Sequence, residues 1–274
     1  MTRYISMLFI ICLFCFTGCG RDYDESLKIA YVKAGVWQVF IMDEDGNGET
    51  QLTTHNSAEY PCFSADGDKI LYIHMGANDA IDIIDLQGNL LSTFPLPGNN
   101  FSYTAWSPDG NVIATYQSNV VYLYRADGTL INTKQDGVQY QGGIGFYSNH
   151  EIIIGRNSTY CDLWNFKDDT ISTINLTYSG ANTHCAISSD RNEMLWYMSG
   201  PGNLYHTVFS TGVTVQLASG NMRSYPVWVH DGSGFFFLNS NDSGKLYFYS
   251  FRTGNDTKIT DIQVLQPAFQ YFPR

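Results

Sequence analysis

One string recurs along this chain at intervals of about 41 residues. It reads YPCFSADGDKILYI at 60–73, YTAWSPDGNVIATY at 103–116 and YPVWVHDGSGFFFL at 225–238. A degenerate copy, HCAISSDRNEMLWY, occupies 184–197, and a copy one residue shorter after its shared apolar position, GGIGFYSNHEIIIG, occupies 142–155. A last copy, QPAFQYFPR, is cut off at 274. The apolar residue shared by all copies falls at Phe63, Trp106, Phe146, Ile187, Trp228 and Phe269, with spacings of 43, 40, 41, 41 and 41. A second pattern, a strand ending in a polar turn, runs out of phase with the first. Its turn positions are Gly46, Gly88, Gly128, Asp169, Gly212 and Gly254. Two independent registers with one period make a repeat architecture the first inference.

The local chemistry is that of strands and tight turns. Runs such as KILYI, VVYLY and FFFL are β-rich and are bounded by Asp-Gly or Asn-containing breaks. Asp-Gly supplies a side chain that bonds its own backbone, then a residue that tolerates φ > 0. Four short strands per copy and a period near 41 predict the blades of a β-propeller. Three strand candidates, KIAYV, WQVFIMD and ETQLT, precede the first copy, and the last copy contributes one strand near Pro267–Tyr271. Joined, they complete one blade. The expectation is an all-β, six-bladed β-propeller whose last blade is closed by N- and C-terminal strands, a closure that removes open sheet edges.

The N-terminus predicts the compartment. Arg3 precedes an apolar run from Met7 to Phe16, too short for a bilayer span of roughly 20 residues. It fits a secretory signal peptide. The string FTGC ending at Cys19 resembles the lipobox of bacterial lipoproteins, although Phe16 stands where that family usually has an aliphatic residue. The resemblance implies cleavage before Cys19 and lipid on its sulfur, so that the protein is anchored rather than spanning. The expected organisation is residues 1–18 as signal peptide, 19–27 as tether and 28–274 as propeller. The tether acids Asp22, Asp24 and Glu25 resemble a surface-export signal of some Bacteroidota lipoproteins. The expected location is therefore lipid-anchored in the cell envelope, on the periplasmic or exposed side of the outer membrane.

The strings YTAWSPDG and YPCFSADG resemble the TolB-like branch of β-propellers, over about residues 28–274. That resemblance implies the fold. It does not carry over the Tol-system partners, because TolB proper has an additional N-terminal α/β domain and only about nine residues separate Cys19 from the first strand here.

The formal net charge of −11 disfavours nucleic acid, whose phosphates need a basic footprint. Cys62, Cys161 and Cys185 lie in strand-like apolar runs and read as small buried hydrophobes, not as a disulfide framework or a metal site. No cofactor is implied. GxSxG, HExxH, P-loop and GxGxxG strings are absent from the sequence. Asp66, Asp109 and Asp231 recur at one turn of the repeat and read as turn formers. Trp106 and Trp228 read as inter-blade packing. Of the histidines, His55, His74, His150, His206 and His230 stand at scattered positions of the repeat; His184 starts an inner strand.

Three residues before the shared apolar position stand Tyr60, Tyr103, Gly143, His184, Tyr225 and Gln266. The start of an inner strand lies at one mouth of a propeller's channel, so these residues are expected to form a ring there. Glu59, Asn100, Tyr140, Asn182 and Arg223 lie on the approach to it. Aromatic bodies with polar tips suit a sugar, a peptide or a partner's loop. Tyrosines can equally serve to pack such a ring. No metal or catalytic group is expected. The binding candidates are Glu59, Tyr60, Tyr103, Tyr140, His184, Arg223, Tyr225 and Gln266, with a protein or glycan of the envelope as partner. The functional expectation is a non-enzymatic scaffold. The alternative is a metal-assisted polysaccharide lyase or a glycan-processing enzyme; the metal site of the former needs several imidazoles converging with a carboxylate or amide.

Overall fold

The computed structural model describes residues 27–54, 57–135, 140–198, 202–220, 223–229 and 231–269. Residues 1–26, which hold the expected signal peptide, Cys19 and all but the last residue of the expected tether, lie outside these residues, as do His55 and His230. Side chains are not described at 140–142, 157–159, 177–183 and 269. The described chain is all-β apart from one short 3-10 turn, Ser240–Asp242. No described helix is long and apolar enough to cross a membrane.

The strands pair antiparallel in chain order. Ser57–Phe63, Lys69–Met75, Ala80–Asp85 and Leu90–Pro95 form one four-stranded sheet. Ser102–Trp106, Val112–Gln117, Val120–Arg125 and Leu130–Gln135 form another. Between Gln117 and Val120 the chain reverses in two residues, Ser118 and Asn119, both at positive φ. Such a turn matches the right-handed twist of the strands it joins.

The rest of the chain departs from the expectation of separate four-stranded sheets, because two long strands each serve two neighbours. Thr170–Ile187 pairs through residues 170–181 with Glu151–Asn165 and through residues 182–187 with Glu193–Met198, which gives a six-stranded sheet. Asp256–Phe269 pairs first with Lys245–Ser250 and then with Lys28–Lys33, which gives a seven-stranded sheet. The 15-residue strand Glu151–Asn165 has its ends together, with Phe166 N–H donating to His150 O at 3.0 Å. The same bond closes neighbouring hairpins, from Phe209 to Asn192 (2.7 Å) and from Phe251 to Ser233 (3.0 Å).

The expected closure is present. Ile29 pairs with Phe269, Ala30 with Ala268, Val32 with Leu265 and Lys33 with Val264. The first strand of each repeat packs against the first strand of the next. The circuit runs from Val264–Phe269 through Ser57–Phe63, Ser102–Trp106, Tyr140–Phe146, residues 182–187 and Ser224–Trp228, and back to the C-terminal strand. The architecture is a β-propeller.

Its core is a set of apolar slabs between successive sheets. One slab holds Ala30, Val39, Ile41, Phe63, Ile70 and Tyr72; the next holds Leu71, Ile73, Ile81, Phe94, Phe101 and Ile113. Alternation along each strand makes this possible, since adjacent residues such as Ile70 and Leu71 face opposite slabs. At Gly46, Gly88 and Gly128 the polar turn presses on a neighbouring segment, whereas at Gly212 and Gly254 the space is open. Gly88 has φ +85, and a Cβ there would lie 2.6 Å from Leu52 O; at Gly128, with φ +87, it would lie 2.6 Å from Phe94 Cβ. Asp169 takes the equivalent left-handed position at φ +54. Its carboxylate accepts from Trp164 Nε1 (2.9 Å) and Lys134 Nζ (2.8 Å).

Candidate functional site: an aromatic ring in the central channel

The inner strands line a channel with a cavity of about 340 Å³. Its wall runs from Tyr60, Tyr103, His184, Tyr225 and Gln266 to the turns at Ser64, Ser107 and Ser188. Five of the six ring positions expected from the repeat thus share one cavity. Gly143 is buried on the remaining inner strand.

A local backbone device aims these side chains. Tyr60, Tyr103, Tyr225 and Gln266 have φ of 53°, 54°, 50° and 47°, unusual for residues with a Cβ. At each of them the strand pairing slips: the register shifts between Glu59 and Cys62, Ser102 and Thr104, and Ser224 and Val227, and opposite Ala30 and Val32 for Gln266. These are β-bulges, which kink a strand and re-aim a side chain. Pro61, Pro226 and Pro267 follow three of the four residues. A proline has no N–H to give a ladder and is tolerated where the ladder is interrupted. The proline after Tyr60, Tyr225 and Gln266 is the sequence signal for these bulges.

The ring is tied from blade to blade. Tyr60 N–H donates to Gln266 Oε1 at 2.7 Å, and Thr104 Oγ1 donates to Tyr60 O at 2.6 Å. The rings of Tyr60 and Tyr103 lie 5.4 Å apart, Tyr103 and His184 6.3 Å, and His184 and Tyr225 5.1 Å, all tilted. These separations fall in the range of favourable aromatic contacts. Glu59 accepts from Gln266 Nε2 (3.2 Å) and from Ser57 Oγ (3.0 Å).

Burial governs the electrostatics. It pushes the Tyr60 hydroxyl up to about 12, with the Glu59 carboxylate adding to the effect, and raises Tyr103 and Tyr225 too. It pulls the His184 imidazole down to about 4, against a smaller opposing effect of a hydrogen bond with the Pro226 backbone. His184 is thus neutral at physiological pH. Its Nδ1 is buried and has no hydrogen-bond partner. The site offers aromatic faces, hydroxyls, one amide and one neutral imidazole with a free nitrogen.

Arg223 and Asn100 fall elsewhere, and the side chains of Tyr140 and Asn182 are not among those described. Arg223 is turned into the structure, with Nη2 2.9 Å from Asp256 Oδ1, Nη1 donating to Leu217 O at 3.1 Å, and its guanidinium 4.3 Å from the Tyr249 ring centroid. Tyr140 lies on Tyr140–Phe146 opposite Arg156, and Asn182 on Thr170–Ile187 opposite Met198. Asn100 lies in the loop before Ser102–Trp106, where Nδ2 donates to Asn99 Oδ1 at 2.9 Å.

Asp109 and Asp231 act as turn formers, accepting from Asn111 N–H (3.1 Å) and Ser233 N–H (2.8 Å), and Asp66 accepts from Asp68 N–H (3.3 Å). Trp228 bonds the neighbouring repeat through Nε1 to Ala186 O at 2.8 Å. His74 pairs with buried Asp82 (3.2 Å) and His206 with Glu193 (2.7 Å). Cys161 and Cys185 are buried and Cys62 is partly so, and none of the three is in a disulfide among the described residues. Among the described residues no group of three or more His, Cys, Asp or Glu side chains is gathered closely enough to hold a metal.

No family model matches the chain. Over 75 residues it is 31% identical to the Tol-Pal system protein TolB of Campylobacter jejuni strain RM1221 and, equally, to that of strain ATCC 700819 / NCTC 11168. The match spans 27% of this chain and 19% of the length of these relatives. The crystal structure of TolB from Acinetobacter baumannii superposes with a TM-score of 0.72 at 18% identity, covering 89% of this chain and 67% of that one. A chain of a nidogen/laminin complex superposes with a TM-score of 0.70 at 8% identity, covering 89% and 98%. In fold, the chain carries a TolB-like β-propeller.

Proposed function

We propose that this chain is a lipid-anchored scaffold of the bacterial cell envelope whose propeller has six blades and whose channel ring receives a segment of another envelope protein. Reading residues 151–165, 170–187 and 256–269 each as two blade strands turns the merged sheets into four-stranded blades like the two separate ones. The closed circuit of inner strands supports that count. Residues 1–18 are taken as signal peptide, 19–27 as tether with lipid on Cys19, and 28–274 as the propeller.

The observation that carries the binding reading is the convergence of Tyr60, Tyr103, His184, Tyr225 and Gln266 on one cavity, with the unpartnered Nδ1 of His184 among them. Aromatic residues with polar tips are the groups that anchor protein segments in pockets. The similarity to TolB of the Tol-Pal system, and to a propeller solved within a nidogen/laminin complex, fits a role in holding partners rather than in chemistry.

A photo-cross-linking residue at Tyr225 tests this in intact cells. It is expected to capture a discrete envelope protein that the same cross-linker at Leu130, on an outer strand, does not. Equal capture at both positions, or none at Tyr225, overturns the reading.

A further inference from the structure

We infer that a ledge beside the channel, formed by Trp37 and the Ser57–Glu59 segment, binds neutral pyranose sugars. Trp37 is 46% exposed, on the hairpin that joins Lys28–Lys33 to Val39–Asp43. Its neighbour Val36 is 45% exposed. The two face Ser57 and Glu59 across a shallow hollow of about 430 Å³.

The backbone holds Trp37 where a large residue does not settle by itself. Its φ is +57, in the left-handed region that disfavours residues with a Cβ. Gly35, two positions earlier, is at φ +79 with open space where a Cβ would sit. Hydrogen bonds fix the peptide on both sides. Trp37 N–H donates to Lys33 O (3.1 Å), and Trp37 O accepts from Ala58 N–H (2.9 Å). A strained, clamped and exposed indole is a preorganised platform, and strain of this kind concentrates at ligand sites.

The opposite wall is polar and oriented. Ser57 Oγ and Gln266 Nε2 each donate to one oxygen of the Glu59 carboxylate, at 3.0 and 3.2 Å, which fixes its plane. An ionised carboxylate still has acceptor capacity beyond two bonds. A pyranose presents a C–H face to an aromatic ring and hydroxyls at its rim to a carboxylate. Among the described residues the wall contains no Lys or Arg, and the formal charge of the chain is −11, so phosphorylated sugars and uronates are disfavoured. The ledge shares Glu59 with the channel ring but does not use the cavity, so it stands or falls separately from the partner-binding role.

The test is calorimetric titration of the intact propeller with three neutral hexasaccharides: cellohexaose, maltohexaose and chitohexaose. At least one is expected to bind. Trp37→Gly is expected to weaken that binding by about tenfold or more, equivalent to the loss of one good contact. The same variant is expected to melt roughly 2–4 °C higher, because glycine relieves the left-handed strain. Leu130→Ala, on an exposed outer strand away from both the ledge and the channel, is expected to leave sugar binding unchanged. No binding of any of the three sugars, binding that survives Trp37→Gly, or a lowered melting temperature in that variant overturns the inference. The cross-linking result at Tyr225 is unaffected by either outcome.

Discussion

Gln266 Oε1 accepts the backbone N–H of Tyr60 at 2.7 Å, across a sequence separation of 206 residues. This bond joins the C-terminal strand to the first full repeat at the ring. Gln266 Nε2 turns to Glu59 in the same contact. One amide side chain thus satisfies a donor that the β-bulge at Tyr60 has withdrawn from the ladder.

Replacing Gln266 by Leu keeps much of the volume and removes both bonds. Leaving a part-buried N–H without its acceptor is expected to cost about 1–3 kcal/mol. Urea unfolding should report that loss, and unchanged stability would show that the ring is held without this bond. Truncation before Val264 should be far worse, because it exposes the edge of Lys28–Lys33.

The turn glycines make a graded prediction. Gly88→Ala must place a Cβ 2.6 Å from Leu52 O at φ +85, so strain and a backbone clash both apply. A loss of about 2–4 kcal/mol is expected from the two together. Gly212 has φ +66 with nothing within 4 Å, and Gly212→Ala should lose only about 1 kcal/mol. Equal effects in thermal melts would mean that the turn does not press on its neighbour.

His184 predicts a pH dependence. Its imidazole titrates near 4 when folded and near 6.5 when unfolded. Above pH 6.5 neither state holds the proton. Between 6.5 and 4 the unfolded chain takes it up and the folded chain does not, so stability falls with pH, and below 4 the loss is complete. The total is on the order of 3 kcal/mol. His184→Asn should flatten this part of the stability-against-pH curve. Identical slopes for the two proteins between pH 6.5 and 4 would refute a neutral buried imidazole.

Arg223 separates structural from recognition residues. Its guanidinium is engaged by Asp256, Leu217 O and Tyr249. Arg223→Ala is expected to lower stability by about 1–2 kcal/mol through the lost ion pair and ring contact, with capture at Tyr225 unchanged. Loss of capture in a variant that remains folded would return Arg223 to the site.

The proposed anchor is tested by Cys19→Ala, which should move the protein from the detergent phase to the aqueous phase on partitioning. Retention in the detergent phase would contradict lipidation at this residue.

The sequence alone determined the repeat, the turn chemistry and the ring positions. Each is written locally: an Asp or Gly that a turn demands, an apolar residue every 41 or so, and a ring position three residues before it that is tyrosine in three of six copies. It also identified the pairing of the two ends, because an incomplete copy at 266–274 implies a missing neighbour. Tertiary structure alone decided where side chains point. The bulges at Tyr60, Tyr103, Tyr225 and Gln266 depend on which neighbouring strand supplies or withdraws a hydrogen bond. Arg223 has several donors, and only packing selected Asp256 and Tyr249 over the channel. The exposure of Trp37 depends on a hairpin clamped by Ala58, a contact between repeats that no local pattern encodes. Periodicity fixes which residues are equivalent; bulges, clamps and ion pairs between sheets break that equivalence.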